Sequence, residues 1–501
     1  MPFILSALFI MAAVLAAAPA LFEVRLLTRF LHHRAGIREA ARGRGDGGGA
    51  TPDGDVPSVT IQIPLYNERT TAEQVILAAA AQDYPLDRYD IQVLDDSTDE
   101  TAVIVARLVA TLRARGIRIE QLRREHRVGF KAGALAMGLE RSAAEFVAMF
   151  DADFTPDPTF LRRILVREAA FEDATVAFVQ ARWSWSGPTA GLFHSAIGLL
   201  MDRHFFIQKP TRAFMGNVTV FNGSAGIWRR AAIDAVGGWS ADTLTEDLDL
   251  SYRCALAGWK GRYLRDVSVP SELPGDMRAF KLQQHRWARG NAQCMRKLTG
   301  RVLNSPGVIR ERWEEAQYLA GYAVHPILLA NLLLWPWAVL NMDRRLFLFV
   351  QLFLVVFNLV APLSFLLALK ERGDALTPTS VLRVAAGMCL GIGLMIANTV
   401  GQVQGLLSAR GEFARTPKAV RPAGDELARL GAARPYASAL HWTFFLEILA
   451  IGYCAAGFSL LILRGQALWA FPMLFWGSCL SLVALLQWIP AASPLPRPAL
   501  P

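Results

Sequence analysis

The sequence predicts an α/β domain, a mostly parallel sheet wrapped by helices, inserted between apolar helices long enough to cross a bilayer. Three observations predict it. The 501 residues are 53% hydrophobic, above a usual soluble balance, and the excess gathers in Pro2–Ala20 and in the stretch from Tyr322 onward. Between these blocks, short apolar runs alternate with helical patterns, the βα repetition of a parallel sheet. Basic residues flank the apolar segments: Arg25, Arg29, Arg34, Arg38, Arg42 and Arg44 follow the first, and Arg410, Arg415, Lys418, Arg421, Arg429 and Arg434 lie between two later ones. That is the positive-inside pattern of cytoplasmic loops.

The elements follow in order. Residues 3–22 form an apolar run of the length a crossing requires, ~20 residues. Ala18-Pro19-Ala20 has the look of a signal-peptidase site, but no basic region precedes the run and the positive cluster follows it, so 1–24 reads as an uncleaved anchor with its N-terminus outside. Residues 25–57, rich in Arg and then in Gly and Asp with Pro52 and Pro57, read as a basic, flexible cytosolic linker. In the domain 58–300, Val59–Pro64, Ile91–Leu94, Ile117–Leu122 and Phe146–Phe150 are strand candidates, separated by helical patterns over Thr71–Gln82, Asp99–Arg115 and Lys131–Arg141. Ligands of such sheets bind beyond the carboxyl ends of strands.

The region 301–490 contains five apolar segments, 322–341, 346–369, 381–407, 442–463 and 467–490. Three crossings before the basic loop 408–440 would put that loop outside, against its charge. The segment 381–407 carries five glycines together with Asn398, Thr399, Gln402 and Gln404, so it reads as interfacial or re-entrant. Four spans then remain, with no acid–base pair inside them, and 491–501 reads as a tail. Such a lack of charged pairs argues against a coupled transporter.

The net charge is +9. No basic module interleaved with aromatics is present, so nucleic acid is excluded as a partner and the charge is assigned to the membrane-flanking loops. The five cysteines, Cys254, Cys294, Cys389, Cys454 and Cys479, are widely spaced. They show no metal or disulfide pattern, as suits a reducing compartment.

Polar clusters fall at the expected strand ends. Tyr66-Asn67-Glu68 ends the first strand, where Tyr66 and Glu68 serve either a nucleoside or a simple β–α turn. Asp95 and Asp96 end the second, as an Asx-type turn or as hydrogen-bond acceptors for a base or ribose. Asp151 and Asp153 follow the fourth, either in a solvated turn or as oxygen ligands that join Mg2+ or Mn2+ to a diphosphate. The string Arg127–Gly133 opens a helix whose N-terminus, with Lys131, favours phosphate. Thr245-Glu246-Asp247 caps an apolar helix, or supplies a general base. The two acids point in different directions, and Asp247 is the preferred base. Gln283, Arg286 and Trp287, at i, i+3 and i+4, share one helix face. That face suits either a headgroup-anchored amphipathic helix or a site with a sugar platform and a bidentate diphosphate clamp.

In this order the strings Gln62–Glu68, Leu94–Asp99 and Gln283–Trp287 resemble the processive, membrane-bound family 2 glycosyltransferases of the cellulose synthase superfamily. Within it they are most like glucomannan 4-beta-mannosyltransferases of the cellulose synthase-like A type. The likeness runs from about Val59 to Trp287 and more weakly to the C-terminus. It implies a GT-A fold and an inverting mechanism. Asp95 and Asp96 would meet the nucleoside and Asp151 and Asp153 the metal-bound diphosphate. Asp247 would be the base, and Gln283, Arg286 and Trp287 would line the acceptor end. Phe221–Gly226, with Gly223 and Ser224, corresponds to the family's acceptor-binding segment, or is an ordinary Gly-rich loop. Phe413–Lys418 resembles a gating loop but departs from it at Arg415 and Pro417. Gln and His inside the Gln283–Trp287 string, and the short tail after 490 with no cyclic di-GMP-binding domain, point away from cellulose synthase proper.

The resulting expectation is metal-dependent, inverting transfer of a hexose from UDP-glucose or GDP-mannose to a growing β-linked polysaccharide, with coupled translocation. The protein would be multi-pass in an inner or plasma membrane, with its catalytic domain cytosolic, where nucleotide sugars are made. The partners implied are the nucleotide-sugar donor, a glycan or lipid acceptor and the bilayer. The alternatives are a lipid glycosyltransferase that adds one sugar to ceramide or diacylglycerol, and a non-catalytic membrane receptor or transporter.

Overall fold

A computed structural model describes residues 2–41, 56–185, 191–408 and 440–489. Seven strands form one sheet: β1 (Val59–Leu65), β2 (Tyr89–Asp95), β3 (Ile119–Leu122), β4 (Phe146–Met149), β5 (Val176–Trp185), β6 (Gly226–Arg229) and β7 (Lys260–Ser271). Their spatial order is β3-β2-β1-β4-β6-β5-β7. The four strands nearest the N-terminus pair in parallel, as do β5 and β7, and β6 alone runs antiparallel to both neighbours. The sheet is therefore mostly parallel and helix-wrapped, as the sequence predicts, with one reversed strand that the βα rhythm does not signal.

β1 and β2 are central, and both faces of each are buried. That burial is why their sequences read as nearly continuous apolar runs. Two buried amides interrupt them, and Gln62 Nε2 donates to Gln92 Oε1 across the pair at 3.1 Å. The helix Phe130–Arg141 crosses above them through Gly138, where a Cβ would stand 2.5 Å from Gln62 Nε2. The absence of a side chain there sets how closely helix and sheet approach.

The first helix runs from Pro2 to Ala41, into the segment expected to be a linker. Its arginines are not simply solvated charges. Arg29 pairs with Glu314 at 2.7 Å, and Arg34 and Arg38 pair with Glu371 at 2.6 and 2.9 Å. Both partners come from helices of the C-terminal region, Ile309–Leu319 and Val360–Arg372, so the basic cluster is held in register by buried carboxylates.

Among the described residues, four helices are long and apolar enough to cross a membrane: Ile4–Ala40, Gly321–Asn341, Thr443–Leu463 and Ala467–Leu486. The expected span 346–369 is instead two helices, Arg344–Asn358 and Val360–Arg372. Pro362 accounts for the break, because it lacks an N–H and its ring clashes with the carbonyl four residues before. Segment 381–407 is a pair of helices, Pro378–Gly393 and Met395–Leu407, bent by 44°. Its glycines make close contacts. Gly401 and Gly405 lie against the backbone of His285 and Arg289, and Gln402 Nε2 donates to Ala288 O at 2.9 Å. The bent pair thus packs along the helix Met277–Leu303, which carries Gln283, Arg286 and Trp287.

One acidic residue of the spans pairs with a cation outside them. Glu447, within Thr443–Leu463, pairs with Lys281 at 2.7 Å. The cation comes from outside the apolar segment, which is why a search within the segments misses it. Most of the basic loop 408–440, including Phe413–Lys418, lies outside the described residues.

Candidate active site

The reversed strand explains how the site assembles. Ala225 N–H donates to Met149 O at 2.9 Å, so the chain enters β6 at the carboxyl edge of β4. The segment Phe221–Ala225 is thereby laid beside Asp151, the second residue after that strand. Asp151 N–H donates to Ser224 Oγ at 2.8 Å. Lys131, in the first turn of Phe130–Arg141, reaches across both. Its Nζ lies 2.6 Å from Asp151 Oδ1, 2.8 Å from Gly223 O and 3.5 Å from Glu246 Oε1. Burial opposes the ammonium, but Asp151 and Glu246 outweigh it and raise the Lys131 pKa above its ordinary value. Lys131 is therefore a charged hub between the fourth strand end, the segment 221–225 and the helix Glu246–Leu256.

Asp247 sits on that helix opposite Gly223. At φ +81°, a Cβ on Gly223 would stand 3.1 Å from Asp247 Oδ2. The segment and the carboxylate are thus nearly in contact, with no room for a side chain between them. Burial, with Glu246 beside it, pushes the Asp247 carboxyl up to about 7, against the pull of Lys131. A carboxylate so tuned has the basicity of a general base working near neutrality. Leu248 N–H donates to its Oδ1 at 2.9 Å, and Ser251 Oγ donates to its backbone carbonyl at 2.6 Å.

Asp153 accepts from Ser271 Oγ at 2.7 Å. Among the described residues no group of three or more His, Cys, Asp and Glu is placed to hold a metal. Burial foremost, and Asp153 in addition, hold the Asp151 carboxyl above the usual range. A dication held by both carboxylates would offset their mutual repulsion. Two protein carboxylates suit Mg2+ or Mn2+, which keep their remaining positions for phosphate and water.

Asp95 is fully buried. Its Oδ1 accepts from Ser97 N–H at 2.9 Å and its Oδ2 from Gln121 Nε2 at 2.7 Å, so it shapes the turn after β2. Asp96 is gripped by Arg124, Nε at 2.9 Å and Nη2 at 2.5 Å. The Arg127 guanidinium lies 3.5 Å from the centre of the Tyr66 ring and 3.8 Å from Asp96 Oδ2. Tyr66, Asp96 and Arg127 therefore meet at the ends of β1 and β2. Glu68 closes the turn into the next helix, its carbonyl accepting from Thr71 and Ala72 N–H.

On Met277–Leu303, Gln283, Arg286 and Trp287 are half-buried. The Arg286 guanidinium is pulled down by burial and held up by Glu246, Asp151 and Asp247, which places it in the field of all three. Tyr322 OH donates to Gln284 Oε1 at 3.0 Å and ties this helix to the first apolar segment of the C-terminal region.

Three contributors carry no signal that spacing could reveal. Gln180 is buried in strand β5. Its Nε2 donates to Ser224 O at 2.9 Å and its Oε1 accepts from Asn222 N–H at 2.8 Å. Gln180 follows the apolar run Val176–Val179, and a buried glutamine at the end of such a run is the one hint of such a role. Glu315 accepts from Arg212, Tyr252 and Asn217 at 2.7, 2.8 and 2.9 Å beneath the Asp247 helix. Lys209 is buried beside the segment Val220–Asn222 and donates to Val220 O and Asn222 Oδ1.

Fold and site define a class, and the comparisons agree with it. The model of the family described as "Glycosyl transferase family group 2" matches residues 146–369. Glucomannan 4-beta-mannosyltransferase 2 of Arabidopsis thaliana is 44% identical over 260 residues, covering 50% of this chain and 48% of that protein. Glucomannan 4-beta-mannosyltransferase 1 of Oryza sativa subsp. japonica is 40% identical over 256 residues, covering 50% and 49%. A mannosyltransferase from Pyrobaculum calidifontis, solved with GDP-Man and Mn2+, aligns with a TM-score of 0.47 at 20% identity, covering 80% of this chain and 99% of that one. The chain thus carries a family 2 glycosyltransferase domain over residues 146–369 and is similar to the cellulose synthase-like glucomannan mannosyltransferases. It spans about half the length of the curated relatives it matches.

Proposed function

We propose that the protein transfers a hexose from a nucleotide sugar to a growing β-linked polysaccharide at a membrane, with inversion at the anomeric carbon. The observation that carries the reading is the convergence on Lys131, which joins Asp151 to Gly223 and Glu246 one residue from Asp247. The candidate diphosphate-binding carboxylate, the acceptor-type segment and the residue before the candidate base are gathered around that one cation, which supports the reading.

In this reading Tyr66, Asp96 and Arg127 receive the nucleoside and Asp95 holds their turn. Asp151 and Asp153 would hold Mg2+ or Mn2+, which supplies charge neutralisation for the departing diphosphate. Lys131 and Arg286 add fixed positive charge on the same side. Asp247 takes the proton of the acceptor hydroxyl as that oxygen attacks the anomeric carbon from the face opposite the diphosphate. The attack forms the glycosidic bond, breaks the bond to phosphate and inverts the centre. Trp287 offers a flat surface for the acceptor sugar. The relatives named as glucomannan 4-beta-mannosyltransferases make GDP-mannose the first donor to try and UDP-glucose the second.

The domain 58–300 would stand in the cytosol, between the helix Pro2–Ala41 and the C-terminal helices. Four helices long and apolar enough to cross a bilayer support the membrane reading. The test is purified protein in lipid nanodiscs with radiolabelled GDP-mannose or UDP-glucose, Mn2+ or Mg2+, and product sizing. A β-linked polymer is the expected product. A single labelled sugar on a lipid would favour the lipid glycosyltransferase instead, and no transfer from any nucleotide sugar would overturn the enzymatic reading.

A further inference from the structure

One buried cation near the reaction centre has no part in the mechanism above. Lys209 is 4% exposed. Its Nζ donates to Val220 O and Asn222 Oδ1, immediately before Gly223. A π-helical turn, His204–Gln208, precedes it. Hydrogen bonds from i to i+5 bring residues five apart to nearly the same face, so His204 and Lys209 point the same way, where an α-helix would separate them. Both reach Asn222, with His204 Nε2 lying 3.4 Å from Asn222 Nδ2. Gln208 Oε1 holds the other ring nitrogen of His204 at 2.9 Å. The Asn222 carboxamide is therefore fixed at both ends, its oxygen by a cation and its nitrogen by an imidazole.

The rest of the segment is fixed with equal care. Phe221 N–H donates to Ser251 Oγ at 2.9 Å, Asn222 N–H to Gln180 Oε1 at 2.8 Å, and Lys131 holds Gly223 O. Ser251 in turn donates to the Asp247 carbonyl. Asn222 is half-buried, so its carboxamide is placed at the edge of the site and not sealed in the core. Burial draws the Lys209 ammonium down to about 7 and the Asp247 carboxylate opposes that, so the two groups share one field. The rings of Phe205 and Tyr263, with centroids 6.0 and 5.6 Å from Nζ, line the remaining sides.

We propose that Lys209, projected by the π-turn, is a positioning residue that orients the Asn222 carboxamide toward an acceptor hydroxyl beside Asp247 and so sets the affinity for the acceptor glycan. The proposal rests on the reading of residues 221–226 as the acceptor segment. Lys209→Met keeps the bulk of the side chain and removes the donor. Asn222 and the Val220 carbonyl then lose their anchor while the donor-binding strand ends are untouched.

The experiment uses the full chain in nanodiscs with GDP-mannose and β-1,4-mannotetraose, or with UDP-glucose and cellotetraose if that is the pair the wild type uses. Loss of the hydrogen bond that holds the Asn222 carboxamide predicts an acceptor KM for Lys209→Met raised by about tenfold, with the donor KM changed by less than about twofold. Asn222→Ala should raise the acceptor KM similarly, and the double variant should be no worse than Asn222→Ala alone, since both changes remove one device. Asn222→Ala also serves if Lys209→Met does not fold. An unchanged acceptor KM in the variants, equal rises in both KM values, or additive effects in the double variant would overturn the proposal. A wild type that transfers no sugar to the oligosaccharide would instead overturn the functional reading beneath it.

Discussion

Lys281 and Glu447 form an ion pair of 2.7 Å in which both side chains are wholly buried. Lys281 precedes Gln283 on the helix Met277–Leu303, and Glu447 lies within the apolar helix Thr443–Leu463. Gln487 completes the group, with its Oε1 accepting from Lys281 and its Nε2 donating to Glu447. The helix that faces the site is thus locked to Thr443–Leu463 by an ion pair and to the end of Ala467–Leu486 by the Gln487 amide. Removing one partner strands the other in the interior, at a cost of about 3–5 kcal/mol. Glu447→Leu and Lys281→Met should each lower the thermal midpoint in nanodiscs, and the double variant should recover most of the loss. A double variant as unstable as the sum of the singles would show that the pair acts through something other than mutual charge compensation.

Asp247 should govern the pH dependence. Its carboxyl is pushed up to about 7, and only the ionised form accepts a proton. Transfer should therefore climb as pH rises through about 7 and level off above it. Stability runs the other way. The native state keeps a proton that the unfolded chain releases in the ordinary carboxylate range, so this group's contribution falls as pH rises from that range to about 7. Asp247→Asn should reduce transfer by ~100-fold or more while leaving the fold intact. Near-normal transfer by that variant would remove Asp247 from its role.

Metal removal offers an independent check on Asp151 and Asp153. EDTA should abolish transfer and Mn2+ or Mg2+ should restore it. Asp153→Asn should raise the metal concentration needed for half-maximal rate, because one of two charged oxygen ligands is lost. A titration curve for Asp153→Asn that overlays the wild type would count against the assignment.

Gly223→Ala tests the contact between the acceptor-type segment and the base. Alanine at φ +81° adopts a left-handed conformation costing ~1–2 kcal/mol, and its Cβ would stand 3.1 Å from Asp247 Oδ2. A modest drop in thermal midpoint is expected, with a far larger fall in transfer rate. If rate and stability fell together in proportion, the glycine would be needed only for the turn.

The sequence alone was enough to predict the strands β1 to β4, the helices between them and the acid pairs at their carboxyl ends. Each strand or helix is a local pattern, since burial on both faces of β1 and β2 demands consecutive apolar residues and the helices need apolar residues at helical spacing. The order of the motifs, from Gln62–Glu68 to Gln283–Trp287, likewise needs no coordinates. Four other features depended on the tertiary structure. The direction of β6 is fixed by Ala225 bonding to Met149. The hub at Lys131 joins residues 20 and 92 positions away. Asp95 and Asp96 look alike in sequence, yet one is turned into the protein and the other is held at the surface of the site by Arg124. Lys209 stands in an unremarkable string, and only the π-turn before it aims it at Asn222. Periodicity reports which face of an element is buried. It does not report which distant group meets a charge there, and in this protein those meetings bring Lys131, Asp151, Gly223 and Glu246 together.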